Sequence, residues 1–216
     1  EMGIPGIPAS QIGIEAEIQA LRDGVASIYP DIYGTAEMKK ETSRFVKNFI
    51  NLDVPEDSCV PTVGSMQGGY AAFLTLTKMH PTKNKVLFID PGFPVQKLQC
   101  RIMGIETEQF DVYDYRGDKL RDKLESYLSK GDIACILYSS PNNPAWFCFN
   151  EEELQIIGEL SNKYDTVVIE DLAYFAMDFR HDYSKPGVAP YQPSAGHWAK
   201  KYLLLISGSK AFSYAG

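Results

Sequence analysis

No run of this chain approaches the roughly 18 consecutive apolar residues that a membrane-spanning helix needs, so a membrane partner is not expected. The opening Glu1-Met-Gly-Ile-Pro lacks the basic-then-apolar layout of a secretory signal, and the expected location is cytoplasmic. Cysteine is sparse. Cys59, Cys100, Cys135 and Cys148 lie far apart and form no C-x-x-C pair, a pattern that fits reduced, mostly buried thiols better than disulfides or a zinc site. The histidines, His80, His181 and His197, are as scattered, so no metal site is expected. Basic charge is also short: 21 Lys and Arg against 28 Asp and Glu give a formal net charge of −7. Without a clustered basic surface, a nucleic acid is not an expected partner. A small anionic ligand stays open, because backbone amides and hydroxyls can hold a phosphate without help from net charge.

What is present is an ordinary globular composition, 44% hydrophobic and 23% charged over 216 residues, enough for one large core. Ser10 is placed to cap a helix carrying Ile12, Ile14, Ile18 and Leu21 and ending at Gly24. Thr35 is placed to cap a second, with Met38, Phe45, Val46 and Phe49 as its buried stripe. Ser58 to Gly64 reads as a short strand, Ser65-Met-Gln-Gly-Gly69 as a loop, and Tyr70 to His80 as a helix. Strands are expected over Lys85–Asp90, Ile105–Phe110, Ile133–Tyr138, Thr166–Glu170 and Tyr202–Ile206, the last of them buried. Helices are expected over Val95–Met103, Asp118–Ser129 and from the capping-box residues Asn150-Glu-Glu-Glu153 to Tyr164. This alternation predicts an α/β protein, a mostly parallel sheet between two layers of helices. Phe179 to Lys200 has several prolines and glycines and no periodicity, and reads as a long surface excursion.

The strand ends carry the polar residues. In an open parallel sheet the carboxyl ends of the strands border the ligand crevice. Tyr202–Ile206 runs into Ser207-Gly-Ser-Lys210, and a lysine there is either a nucleophile with a depressed pKa or a side chain reaching for water. Asp171 and Tyr174 follow the strand at 166–170, Phe93 follows Pro91-Gly, and Asn142-Asn143-Pro144 follows Ser139-Ser-Pro. Asn142 reads as a turn residue held by its own side-chain bonds. The Ser65-Met-Gln loop before a helix is either a phosphate cradle or a simple βα turn; it is neither a G-x-G-x-x-G fingerprint nor a P-loop. One ligand wants an amine, a carboxylate, a phenol, an amide, an aromatic face and an anion cradle together, and that ligand is pyridoxal 5'-phosphate.

In that order along the chain, these residues resemble the class I and II aminotransferases, the fold type I pyridoxal-phosphate enzymes. The resemblance rests on Gly3-x-Pro5-x-x-Pro8, Tyr29 five residues before Gly34, Ser65-Met-Gln, Phe93, Asn143-Pro144, Asp171-x-x-Tyr174 and Ser207-x-Ser-Lys210. It implies an aminotransferase-like large domain and transfer of an amino group between an amino acid and a 2-oxo acid. Lys210 would carry the cofactor as a Schiff base and shuttle the proton. Asp171 would pair with the ring nitrogen, Tyr174 and Asn143 would bond the phenolic oxygen, and Phe93 would stack on the ring. Ser207 and the amides of Ser65, Met66 and Gln67 would hold the phosphate, with Ser209 nearby. Tyr29 would reach the phosphate of a neighbouring subunit in a homodimer with shared active sites. Gly3, with Asn143, would lie at the substrate carboxylate.

The sequence departs from the family where Ala145 and Trp146 follow Asn143-Pro144 in place of threonine and glycine, and where Phe93 stands for the commoner tyrosine. The expected organisation is 1–34 as an N-terminal segment with active-site loops and 35–216 as the cofactor-binding large domain. The smaller domain, with the arginine that grips the substrate carboxylate, is expected outside this chain. The same cofactor set serves lyases and decarboxylases, and the same fold serves as a cofactor-sensing domain of transcriptional regulators. Those two alternatives stay open from sequence.

Overall fold

A computed structural model of the chain describes residues 6–214. Five strands, β1 (Lys85–Asp90), β2 (Glu106–Asp111), β3 (Ile133–Ser139), β4 (Val167–Leu172) and β5 (Tyr202–Ile206), form one sheet in the order β2-β1-β3-β4-β5. Every neighbouring pair is parallel. The helices are α1 (Gln11–Arg22), α2 (Ala36–Ile50), α3 (Gly64–Met79), α4 (Pro94–Ile102), α5 (Lys119–Leu128), α6 (Glu151–Lys163) and the short α7 (Gly208–Ala211).

The two-residue period of a strand sends alternate side chains to opposite faces, and each face is closed by its own helices. Leu87, Ile89, Ile136, Tyr138 and Val168 pack with Leu120, Leu124 and Leu128 of α5 and Leu154, Ile157 and Leu160 of α6. Their neighbours Val86, Phe88, Cys135, Leu137 and Ile169 pack with Ala72 and Phe73 of α3 and Cys100 of α4. A third cluster sets Val46 and Ile50 of α2 against Leu172 at the end of β4 and Phe175 beyond it. The result is the expected three-layer α/β/α arrangement.

Local signals behave as expected where they are self-contained. Thr35 accepts a bond from the Met38 amide at 3.3 Å and opens α2. Asn150 and Glu153 form a complete capping box at the start of α6. Three of the four cysteines are buried, Cys148 is half-buried, and all four are free thiols.

The structure corrects several expectations. Residues 58–64 form no strand. A 3-10 turn at Glu56–Ser58 leads into extended backbone, Val60 and Val63 stay exposed, and Pro61 has no N–H to give a ladder. The loop expected at Ser65–Gly69 is already helical, because Gly64 turns the chain at φ +68° and α3 starts there. Met38 is exposed, outside the buried face of α2. Strand β5 is half-buried because it lies at the sheet edge, with one neighbouring strand. The 179–200 excursion is partly interior: Tyr183, Gln192, Ser194 and Ala195 are buried, and Gln192 N bonds Phe49 O at 2.9 Å.

Candidate active site

The strand order reverses between β1 and β3, where successive strands run off in opposite directions along the sheet. Loops at such a point part and leave a crevice beyond the carboxyl ends. Asn142 ties the two exits together. Fully buried, it donates from Nδ2 to Pro91 O at 2.7 Å and to Ser139 Oγ at 3.1 Å, and its Oδ1 accepts the Ala145 amide at 3.0 Å. The turn role expected for Asn142 therefore holds, and it extends to a strut between β1 and β3. Asn143 beside it is half-buried.

Asp171 was expected beyond its strand and is found within it. It pairs with Ser139 of β3 on one side and Leu205 of β5 on the other. By alternation it shares the face of Ile169, toward α3 and α4, whereas Glu170 takes the opposite face, where it accepts a bond from the Ser194 hydroxyl. Asp171 is 5% exposed. Its Oδ1 accepts the Ala173 amide at 3.1 Å and its Oδ2 accepts Gln96 Nε2 at 2.7 Å. Burial pushes the carboxyl above its ordinary range, and the two donors pull it back without cancelling that push.

Lys210 lies on α7, directly after β5, and is half-buried. Ser207 caps this turn: its Oγ accepts the Ser209 amide at 3.2 Å and donates to Ser209 Oγ at 2.9 Å. The two serines expected at a phosphate thus share one hydrogen-bonded unit. Helix α3 begins close by. A Cβ added at Gly68 would stand 3.1 Å from Leu205 Cδ2, so the missing side chain lets the first turns of α3 lie against β5. Ser65, Met66 and Gln67 occupy its first turn. No side chain of residue 63 caps that turn, and Gln67 Oε1 is spent on the Val63 amide at 2.5 Å. These three residues therefore offer main-chain N–H groups at a positive helix end.

Phe93 is half-buried at the N-cap of α4, next to the β1 exit. Tyr174 meets the ring of Trp146 edge-on at 5.7 Å, which brings the loops after β3 and β4 together. Tyr29 is 99% exposed, and Gly3 lies outside the described residues.

The residue that the sequence reading missed is Gln96, 1% exposed and bonded to Asp171. A signal existed: Gln96 and Cys100 stand four apart on α4, so a polar side chain occupies its buried stripe.

A parallel α/β/α sandwich with a buried acid on β4, a lysine on the segment after β5 and the first turns of α3 lying against β5 defines a class of protein, and comparison with known proteins narrows it. The model for aminotransferase class I and II matches residues 9–216. The chain belongs to this family. It is 23% identical to a probable aspartate aminotransferase of Methanocaldococcus jannaschii, covering 100% of this chain and 53% of that protein. It is 27% identical to an LL-diaminopimelate aminotransferase of Halothermothrix orenii, covering 80% of this chain and 44% of that protein. A double mutant of Thermus thermophilus aspartate aminotransferase superposes with a TM-score of 0.83 at 19% identity, over 100% of this chain and 53% of that one. The chain spans about half the length of the relatives it matches.

Proposed function

We propose that this chain is the cofactor-binding portion of a pyridoxal 5'-phosphate-dependent aminotransferase that moves an amino group between an amino acid and a 2-oxo acid. The observation that carries the reading is the pairing of β4 with β5, which sets the buried Asp171 in register with Leu205, one strand from the segment that bears Lys210. Residues 35–216 form the cofactor-binding body in this proposal, and 1–34 supply active-site loops.

The residues present fit the cofactor. Burial raises the Asp171 carboxyl, so this acid gains from a cationic partner such as a protonated ring nitrogen. The first turn of α3, which no residue-63 side chain caps, suits a phosphate. When bound, the cofactor supplies an electron sink for the bond broken at the substrate α-carbon. The side chains do the remaining work. Asp171 holds the proton at the ring nitrogen by Coulomb attraction. Lys210 carries the cofactor and moves the α-proton with its Nζ. Tyr174 and Asn143 bond the phenolic oxygen, and Phe93 covers one ring face. The amides of Ser65, Met66 and Gln67 hold the phosphate with the Ser207 and Ser209 hydroxyls. Gly3 and Asn143 receive the substrate carboxylate, and Tyr29 serves a partner subunit of a homodimer.

Among the described residues no helix is long and apolar enough to cross a membrane, and a cytoplasmic site of action is part of the proposal.

The test uses the full-length protein. Borohydride treatment with the cofactor should place a reduced pyridoxyl group on Lys210, located by peptide mass. Lys210→Ala should lose both that label and the visible absorption band. With a panel of amino acids and a second 2-oxo acid as acceptor, the amino group should pass to the acceptor. Ammonia release with the acceptor untouched would overturn the transfer reading.

A further inference from the structure

The bond between Gln96 and Asp171 joins two elements that are 75 residues apart in the chain, and both side chains are buried. The other donor to Asp171 is local. The Ala173 amide lies two residues on, a contact that any aspartate can make with its own turn and that says nothing about α4. Of these two bonds, the one from Gln96 relates the carboxylate to α4 and the β1 exit. Its position matters further, because it stands one turn after Phe93, the residue at the N-cap of the same helix. One rigid helical turn therefore carries both the aromatic face at the β1 exit and the donor that holds the acid of β4.

We infer that Gln96 is a positioning residue for the cofactor's ring nitrogen: its side-chain amide holds Asp171 in one orientation and in its ionised form, ready to accept the ring N–H. This rests on the cofactor reading above. A donor to a buried carboxylate favours the charged form that desolvation opposes. An amide suits the task because it donates at every working pH, whereas a carboxylic acid donates only while protonated. The other side chains in register with Asp171 are those of Ser139 on β3 and Leu205 on β5, which carry no charge. Lys97, next to Gln96 on α4, is paired with Asp90 of β1.

The experiment compares two cofactors in full-length protein. Pyridoxal 5'-phosphate has a ring nitrogen; 1-deazapyridoxal 5'-phosphate has a C–H in its place and nothing to offer Asp171. Dissociation constants are measured by equilibrium dialysis for the parent, Gln96→Leu and Gln96→Glu. Gln96→Leu should weaken the natural cofactor about tenfold and leave the deaza analogue within about twofold of the parent. Gln96→Glu, nearly isosteric, should recover toward the parent as pH falls from about 8 to 6, where the new carboxyl is protonated and donates. Equal losses for both cofactors would assign Gln96 a packing role and overturn the inference. No loss in Gln96→Leu, or a flat pH profile in Gln96→Glu relative to the parent, would overturn it as well. A parent protein that binds neither cofactor would sink the cofactor reading itself, and this inference with it.

Discussion

Trp146 and Tyr174 meet edge to face with 5.7 Å between ring centroids, although one follows β3 and the other β4. Phe179 stacks on the indole with 6.2 Å between ring centroids, and both Trp146 and Phe179 are exposed. The backbone of Trp146 lies in the left-handed region, φ 54°, which is costly for a bulky L-residue. Glycine relieves that cost and alanine does not. Trp146→Gly should therefore be more stable than Trp146→Ala by about 1 kcal/mol, measured by urea unfolding of the full-length protein. Equal or reversed stabilities would show that the loop relaxes out of the left-handed region when the ring is gone.

Asp171 lends itself to a prediction with a definite sign. Its folded-state pKa is raised, chiefly by burial. Its contribution to stability is thus fully present below the unfolded value of about 3.9 and is lost as pH rises through the folded value. Asp171→Asn removes the buried charge and keeps an acceptor for the Ala173 amide, while Gln96 can turn its own amide to match. Cofactor-free Asp171→Asn should be the more stable protein at about pH 8, by roughly 1–2 kcal/mol, with the margin shrinking toward pH 4. Its affinity for pyridoxal 5'-phosphate should fall at least about tenfold. A margin that grows on acidification would contradict the sign.

Arg116 grips a carboxylate that is almost entirely interior. Its Nε and Nη2 reach the two oxygens of Glu153 at 2.6 and 2.7 Å, and Glu153 is 1% exposed. Burial opposes ionisation of Glu153, yet Arg116 and the amides of Gly117 and Asn150 hold its pKa below the ordinary value. A lowered carboxyl stabilises the fold above its unfolded pKa and loses that effect as pH falls through the folded value. Arg116→Leu should cost about 3 kcal/mol near neutral pH, because it strands a buried charge, and less in acid. Chemical denaturation at several pH values measures both.

Gly158 of α6 lies against the chain at Trp198. An added Cβ would stand 2.7 Å from Trp198 Cβ and 2.9 Å from Ala199 N. Because these are backbone and near-backbone atoms, they cannot swing aside. Gly158→Ala should lower stability by about 1–3 kcal/mol despite the better helix propensity of alanine, and an unchanged melting temperature would count against the contact.

Elements governed by neighbours along the chain were legible in the sequence. The caps at Thr35 and Asn150 need only residues within one turn, and the span of β5 is set by its aliphatic run. Residues 58–64 misled, because apolar side chains near a proline look like a strand until one asks what pairs with them, and no strand among the described residues does. The start of α3 was hidden for a related reason. The glycine pair Gly68-Gly69 is a poor helix former, and the helix holds there with Gly68 lying against Leu205.

The sequence by itself determined the α/β alternation and the order of the polar residues at the strand ends, since local periodicity is enough for both, and its motif residues carry the family resemblance. Tertiary structure alone decided that β5 is a half-buried edge strand, that Asp171 sits inside β4 on the α4 side, and that its partner is Gln96. Those facts depend on sheet order and on contacts between residues far apart in the chain, and no local pattern encodes which helix a strand's alternate side chain will meet.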